Sequence, residues 1–545
     1  MSLSDERKIK IKKQIQQRVD DRILEKSNGE LLIKLVDKCN EQEADALLQM
    51  ATNNQTTGLH FDSRYEVIDT NTIKYLKKDE KHSFIQDPNK PINKLILGDN
   101  YDALRNLLIS YKEQVDIIYI DPPYASDSMG NFAKTNYKNN LTRDNLLSML
   151  QPRLELAEEL LADGGAIFVS IDDKNQAYVK CLMDEVFGEE NFVNCIINQS
   201  ANSVFGSKAS AKNKTYIKVK DYVLVYKKGD LKIKPLYIPS AKLLYDSHEF
   251  ILEDGKKYSS TEWFKEKYIL KFKKMNLKIN SKTIQYLLNT DEDFKKEVMQ
   301  ELLNKQYSTS PYSRNDLSED ELKELNNGKI IKHNETLLIQ EGEGTGLIRF
   351  CRSLKDSCQL INGEWVKCDI LGDIWNNSAG YGNINAEGDV KFASGKKPLM
   401  LLKRILASID NPNALVLDFF AGSGSMGHAV LEQNLEDGGN RQFILCTLEA
   451  DDDYVALDVC GERLKKVMTG VGYKGTKYKN KVLGGNLEVD NITKINNTDK
   501  NIFNEIDETL YGLNKFTNIK DKIDWVCNNF DNCQKEIKEK NYDEF

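Results

Sequence analysis

The chain has 545 residues, 40% hydrophobic and 29% charged, the composition of a folded globular protein rather than a disordered one. Its length suggests about three to five structural units, and no apolar run approaches the ~18 residues of a membrane span. The 84 acidic and 76 basic residues leave a net charge of −8, which alone argues weakly against nucleic acid.

The first residues, MSLSDERKIKIKKQ, lack the apolar core of a secretory signal. Ten cysteines are scattered along the chain without a CxxC pair. Reduced thiols in a cytoplasm are expected, and a disulfide scaffold or structural zinc is disfavoured. Residues 1–55 read as charged helix, clearest in ELLIKLVDKCNEQEADALLQM, where apolar residues recur every three or four positions. Residues 56–90 are polar, with TTG, NTN and DPN, and read as loop with short strands.

The pattern changes at residue 92. INKLILGDN is a short apolar run, YDALRNLLISYK an amphipathic helix, and VDIIYIDPPY a second apolar run stopped by two prolines. LLSMLQPRLELAEELLADGG reads as helix, AIFVSIDD as a third strand, KNQAYVKCLMDEVFG as helix and DYVLVYKK as a fourth strand. Apolar strands alternating with amphipathic helices predict a parallel sheet covered on both faces. Residues 230–370 break this rhythm and read as a separate insert. Residues 201–290 carry 19 Lys against 8 Asp or Glu, a local balance of +11 that leaves −19 for the remainder. Such an island is either an electrostatic footprint for a polyanion or a solvated lysine-rich surface. The α/β rhythm returns after 395 with KPLMLLKRILASI (helix), ALVLDFF (strand), GHAVLEQNL (helix) and QFILCTLEA (strand). Residues 480–545 are acidic, Asn-rich and read as mostly helical.

Four motifs carry chemistry. Asp121-Pro122-Pro123-Tyr124 ends the run VDIIYI, and ligands of open α/β sheets bind at the carboxyl ends of strands. Proline forces the residue before it into extended backbone, so the Asp121 carboxylate and the Pro122 carbonyl become two aimed acceptors beside an aromatic ring. That pocket suits a planar NH2 group, and Tyr124 could stack on its ring. The plain alternative is a Pro-Pro strand stop. The second motif, Asp418 to Ser425, holds Phe420, Ala421, Gly422, Ser423 and Gly424 between a strand and a helix, where small residues let a ligand approach the backbone. Glu449, at the end of the next strand, is placed to accept ribose hydroxyls. This is a nucleoside-cofactor pattern without the phosphate cradle of GxGxxG. The third, Gly98-Asp99-Asn100, offers another strand-end acid for an adenine or ribose, or is an ordinary turn. The fourth, Phe392 to Pro398, either closes over a cofactor or is a glycine loop. There is no G-x-x-x-x-G-K-[ST] for an ATPase motor and no HExxH. The five histidines are isolated, and His428 is given no role.

DPPY together with FAGSG resembles the S-adenosylmethionine-dependent DNA amino-methyltransferases. DPPY comes first, and FAGSG follows a gap of some 300 residues, as in the beta group of that family. The ordered set LILGDNYDALRNLL, VDIIYIDPPY, GGAIFVSIDD, FASGKKPLMLLKRIL and LDFFAGSGSMGHAVLEQN resembles, more closely still, the Mod subunit of type III restriction-modification systems. The family often has Asn-Thr after DPPY, where this chain has Ala125-Ser126. It often has Thr-Thr after GSG, where this chain has Ser425-Met426. Both changes are mild.

The resemblance implies an α/β, Rossmann-like methyltransferase sheet in circularly permuted motif order, with an inserted target-recognition domain and helical termini. It divides the chain into 1–90, helical; 91–230, the catalytic half; 231–370, target recognition; 371–480, the cofactor half; and 481–545, helical. It implies that Asp121 and the Pro122 carbonyl bind the target amine and that Tyr124 stacks on the flipped base. Phe420, Ala421, Gly422, Ser423 and Gly424 would line the methionine end of S-adenosylmethionine. Glu449 would take the ribose, Asp99 and Asn100 would lie near the adenine, and Lys397 near the closing loop. No metal is implied. DPPY favours adenine N6 over cytosine N4. The expected substrate is double-stranded DNA, and the expected partners are a second copy of the chain and an ATP-dependent restriction (Res) subunit. The competing readings are an orphan or type II-like enzyme, including one acting on cytosine N4 or RNA, and a non-catalytic DNA-specificity subunit.

Overall fold

The structure, a computed structural model, describes residues 5–20, 26–40, 43–44, 47, 72–124, 143–201, 216–240, 250–303, 305–334, 336–341, 346–361, 363–384, 387–391, 396–448 and 456–496. Its centre is a sheet of ten strands: β1 (Thr72–Lys78), β2 (Ile92–Leu97), β3 (Val115–Ile120), β4 (Leu161–Ile171), β5 (Phe192–Gln199), β6 (Lys220–Lys227), β7 (Ile374–Asn376), β8 (Leu415–Asp418), β9 (Gln442–Thr447) and β10 (Asn486–Asn496). Their spatial order is β1-β10-β2-β9-β8-β3-β4-β6-β5-β7. The run from β10 to β4 is parallel throughout.

Among the described residues, six helices cover this sheet: α1 (Asn100–Tyr111), α2 (Arg143–Leu160), α3 (Gln176–Phe187), α4 (Leu399–Ser408), α5 (Ser425–Asp437) and α6 (Glu462–Thr469). The near-continuous apolar strands are explained by two buried faces. Ile118 and Ile120 of β3 join one core with Leu104 of α1, Leu150 of α2 and Leu182 of α3. Ile117 and Tyr119, one residue out of phase, join the other with Leu402 of α4, Val430 of α5 and Leu464 of α6. The first half of the chain thus supplies one helical layer and the second half the other. The reason is topological. β2, β3 and β4 progress across the sheet in one direction, and β8, β9 and β10 in the opposite one. Right-handed crossovers then put their helices on opposite faces. The winding reverses between β3 and β8, which are hydrogen-bonded neighbours, and a crevice opens outside the carboxyl ends of such a pair.

Two expectations are corrected. DYVLVYKK is not a further parallel strand: β6 runs antiparallel to both β4 and β5. The crossover through α3 carries the chain past one strand position to β5, and β6 turns back to fill the gap. Its first residues therefore lie at the edge where the parallel strands end. Residues 486–496, inside a segment read as helical, form β10 between β1 and β2. Leu487 and Val489 alternate into the second core, and two sheet neighbours outweigh the local composition. Residues 497–545 lie outside the described residues.

At the other end, helices Asp5–Asp20 and Lys26–Val36 share a small cluster of Ile11, Ile15, Val36 and Ala44. Residues 250–353 build a second, six-stranded antiparallel sheet. It packs with helices Ser260–Lys274, Ser281–Thr290 and Glu292–Leu302 around Trp263, Phe264, Phe272 and Phe294. Capping boxes at Ser259/Glu262 and Asn280/Thr283 start the first two of these helices. A three-stranded sheet is built from Tyr237–Pro239, before this unit in the chain, and from Cys358–Ile361 and Glu364–Ile370, after it. No helix among the described residues is long and apolar enough to cross a membrane.

Candidate active site

Asp121 directly follows β3, and Pro122 and Pro123 are both buried where the strand stops. The Tyr124 hydroxyl donates back to Asp121 Oδ1 at 3.2 Å, so the turn holds the carboxylate and the ring as one unit. Lys397, immediately before α4, reaches the same oxygen. Its Nζ stands 3.2 Å from Asp121 Oδ1 and donates to the Tyr124 hydroxyl at 2.8 Å. Asp221 Oδ2 of β6 is 3.8 Å from the same nitrogen. One ammonium, 9% exposed, is thus shared by two carboxylates 100 residues apart in the chain.

Burial sets the electrostatics. It pushes the Asp121 carboxyl above its usual value, against the opposing pull of the Lys397 ammonium. Burial alone would lower Lys397, but the Asp121 carboxylate, with Tyr124, Tyr381 and Tyr119 around it, holds the ammonium well above its ordinary range. Tyr124 is raised well above its usual value, chiefly by burial, so it remains a phenol and a donor. Asp418, at the end of the adjacent β8, is raised well above the carboxylate range by burial, with the Asp121 charge pushing the same way. Two neighbouring strand ends therefore carry carboxyls of different character. Asp418 accepts the Phe420 N–H at 3.0 Å. Asp121 has a cation to keep it charged.

The loop after Asp418 is held from three sides. Asn100 Nδ2 donates to the Phe419 carbonyl at 2.8 Å, and the Ala421 N–H donates to the Cys446 carbonyl of β9 at 3.1 Å. From behind, the fully buried Arg463 donates to Ser425 Oγ at 2.7 Å and Ser423 Oγ at 3.3 Å. Arg463 also donates to His428 Nδ1 at 3.3 Å. That bond requires a neutral ring, and burial lowers the His428 pKa. Gly424 adopts φ +74°, and a Cβ there would lie 2.9 Å from Cys460 Sγ. Asp99 caps α1 by accepting from the Tyr101 N–H. Arg153 of α2 ties this turn down, donating to Asn100 Oδ1 at 2.6 Å and Asp99 Oδ1 at 3.2 Å.

The expected residues therefore fall into two groups at one sheet edge. Asp121 and Tyr124 stand with Lys397, and Asp99 and Asn100 stand against the loop of Phe420, Ala421, Gly422, Ser423 and Gly424. Lys397, expected near the closing loop, contacts Asp121, Tyr124 and Asp221. Glu449 and the loop residues 392–395 lie outside the described residues. Sequence reasoning missed Arg153, Asp221 and Arg463. Arg153 sits at an inward position of its helix, a detectable oddity for a charged residue. Asp221 and Arg463 leave no such trace.

Comparison with known proteins adds the family. The N6_N4_Mtase family, described as DNA methylase, matches residues 115–458, and one described as an uncharacterised conserved protein matches residues 8–117. The chain is 30% identical over 435 residues to the probable HindVI Mod subunit of a type III restriction-modification enzyme from Haemophilus influenzae, covering 75% of this chain and 55% of that protein. It is 28% identical over 365 residues to the type II methyltransferase M.KpnI of Klebsiella pneumoniae, covering 64% of this chain and 79% of that one. The solved complex of M1.HpyAVI with SAM matches 68% of this chain and 98% of its own, with 13% identity and a TM-score of 0.29. The chain spans about half the length of the type III relatives it matches. With more than half of its residues matched by one family, and the DPPY and FAGSG segments at neighbouring strand ends, the chain belongs to the N6_N4_Mtase family of DNA methylases.

Proposed function

We propose that this chain transfers a methyl group from S-adenosylmethionine to N6 of an adenine within a short sequence of double-stranded DNA, as the modification and specificity subunit of a type III restriction-modification system. The observation that carries this reading is the cation-backed Asp121 carboxylate at the end of β3, with the glycine loop at the end of the adjacent β8. An aromatic NH2 is a poor nucleophile because its lone pair is delocalised into the ring. Asp121 and the Pro122 carbonyl, accepting its two hydrogens, draw the nitrogen toward tetrahedral geometry and free the lone pair. Tyr124 stacks on the base, which must leave the duplex to reach the pocket, at a cost of a few kcal/mol. Asp121 then stabilises the positive charge that develops on the amine.

The residues present fit the cofactor. Gly424, in left-handed backbone, leaves the loop without a Cβ beside Cys460. Asp99 and Leu448, the latter 58% exposed, stand at the ends of the neighbouring β2 and β9, a carboxylate and an apolar side chain for a nucleoside. Glu449, next in sequence, takes the ribose hydroxyls. When bound, the cofactor supplies a methyl group on an activated sulfonium. The chain's part is alignment, which supplies much of the acceleration in a direct displacement.

Residues 231–370 read the DNA sequence in this proposal. Lys265, Lys273, Lys274, Lys278 and Lys282 are exposed along two helices and the turn between them and are suited to phosphates, which position without specifying. Homodimerisation, a cytoplasmic location and association with a Res subunit follow from the type III reading. A second reading, a stand-alone type II-like enzyme, is favoured by the coverage of 79% of M.KpnI. One experiment tests both: expression in a host lacking adenine methylation, with modification-sensitive sequencing beside an Asp121→Ala control. N6-methyladenine at one short motif, absent in the control, supports the proposal. Methylation of cytosine N4, or none while the purified chain binds S-adenosylmethionine, overturns it. A restriction partner that co-purifies separates the type III from the type II-like form.

A further inference from the structure

The Lys397 ammonium stands where a substrate amine is needed. It is a nitrogen donor on Asp121 Oδ1 at 3.2 Å and on the Tyr124 hydroxyl at 2.8 Å. An incoming NH2 claims the same acceptor and must displace it. A cation that is 9% exposed cannot simply be left without a counter-ion, because an unpaired buried charge is strongly penalised. A second carboxylate is already in place, with Asp221 Oδ2 at 3.8 Å from the same ammonium. Asp221 reaches this edge because β6 is antiparallel and begins where β3 and β8 end. Lys218, at 3.4 Å, approaches Asp221 from the surface and is 45% exposed, so it competes weakly.

We propose that Asp221 is a positioning residue that receives the Lys397 ammonium when a substrate amine takes its place on Asp121. The inference rests on the methyl-transfer reading and adds to it an exchange of partners. In the empty pocket Lys397 neutralises Asp121, and in the occupied pocket it pairs with Asp221, leaving Asp121 free to accept from the amine. No proton is transferred in the exchange, and no bond is made or broken. The pocket thereby stays neutralised before the base arrives and still presents a full acceptor afterwards.

The test is a double-mutant cycle on the full-length chain, following transfer of labelled methyl from S-adenosylmethionine to target DNA, with cofactor binding measured alongside. Asp221→Asn is expected to lower kcat about 10- to 100-fold, the scale of a misplaced reactive group, with cofactor affinity within about twofold of wild type. Asp221→Glu should recover part of the loss, because it restores the carboxylate. In a Lys397→Met background, Asp221→Asn should cost nothing further, since no ammonium remains to be received. A merely structural role for Asp221 would lower cofactor affinity and would add to the Lys397→Met loss. Independent, additive effects, or an Asp221→Asn enzyme with wild-type kcat, overturn the proposal while leaving the methyl-transfer reading intact. A wild-type chain that methylates no DNA base overturns that reading, and this inference with it.

Discussion

In the proposed reaction Asp121 is the residue that accepts the target amine, and its protonation can be followed. Burial raises its pKa and Lys397 opposes the rise. The amine is accepted only by the carboxylate, so activity is present above this raised pKa and lost as pH falls through it. The acid limb of kcat/KM, which reports the free enzyme, is therefore expected above the ordinary aspartate value of about 3.9. Lys397→Met removes the opposing cation and should move that limb to still higher pH, as read from pH–rate profiles on target DNA. Asp121→Asn keeps the shape but loses the charge, and should lower kcat by about 10²–10³-fold without weakening cofactor binding. Asp121 and Tyr124 are legible in the sequence because they are contiguous and close an apolar run. The Lys397–Asp221 pair is not, since 176 positions separate the two residues and only the folded sheet brings them to one edge.

Among the elements, the loop between β8 and α5 is the most constrained. Its backbone is fixed by Asn100 from the first half of the chain and by Arg463 from α6. Gly424→Ala meets both a left-handed φ and the Cys460 sulfur. It should destabilise the fold by about 1–2 kcal/mol, seen as a lower Tm, and weaken S-adenosylmethionine binding more than DNA binding. Arg153→Met should act on the same loop indirectly. It leaves Asn100 and Asp99 without their shared donor, at a cost of about 1–3 kcal/mol in denaturant unfolding, with reduced cofactor affinity and no direct effect on DNA binding. Strand β10 shows the limit of reading elements locally. NLEVDNITKIN alternates Leu487 and Val489 into the core, but within an Asn-rich, acidic stretch that alternation is weak, and the partners that decide it, β1 and β2, lie some 400 residues earlier.

For the whole molecule, the question is how an acidic chain engages a polyanion. The net charge of −8 conceals the exposed lysines on helices Ser260–Lys274 and Ser281–Thr290 and on the turn that joins them. Replacing Lys273, Lys274 and Lys278 together by Glu should weaken DNA binding across all sequences and make the salt dependence shallower by ~0.9 per lost phosphate contact. Cofactor affinity should not change. Binding that keeps both its strength and its salt slope would move the DNA-contacting surface elsewhere. The second sheet has its own core around Trp263, Phe264 and Phe294, so such surface changes should leave the ten-stranded sheet intact.

By itself the sequence determined the α/β class, which strand ends carry the acids and the glycine loop, and the break between residues 230 and 370. These are properties of contiguous residues: apolar periodicity, prolines that stop a strand, glycines before a helix. The tertiary structure alone decided how two segments some 300 residues apart interleave into one sheet, with β8 hydrogen-bonded to β3. It decided the antiparallel course of β6, and through that course the approach of Asp221 to Lys397. It also decided the anchoring of the glycine loop by Asn100 and Arg463. Long-range strand pairing and the burial of charge depend on which surfaces meet, and no local window of sequence contains that information.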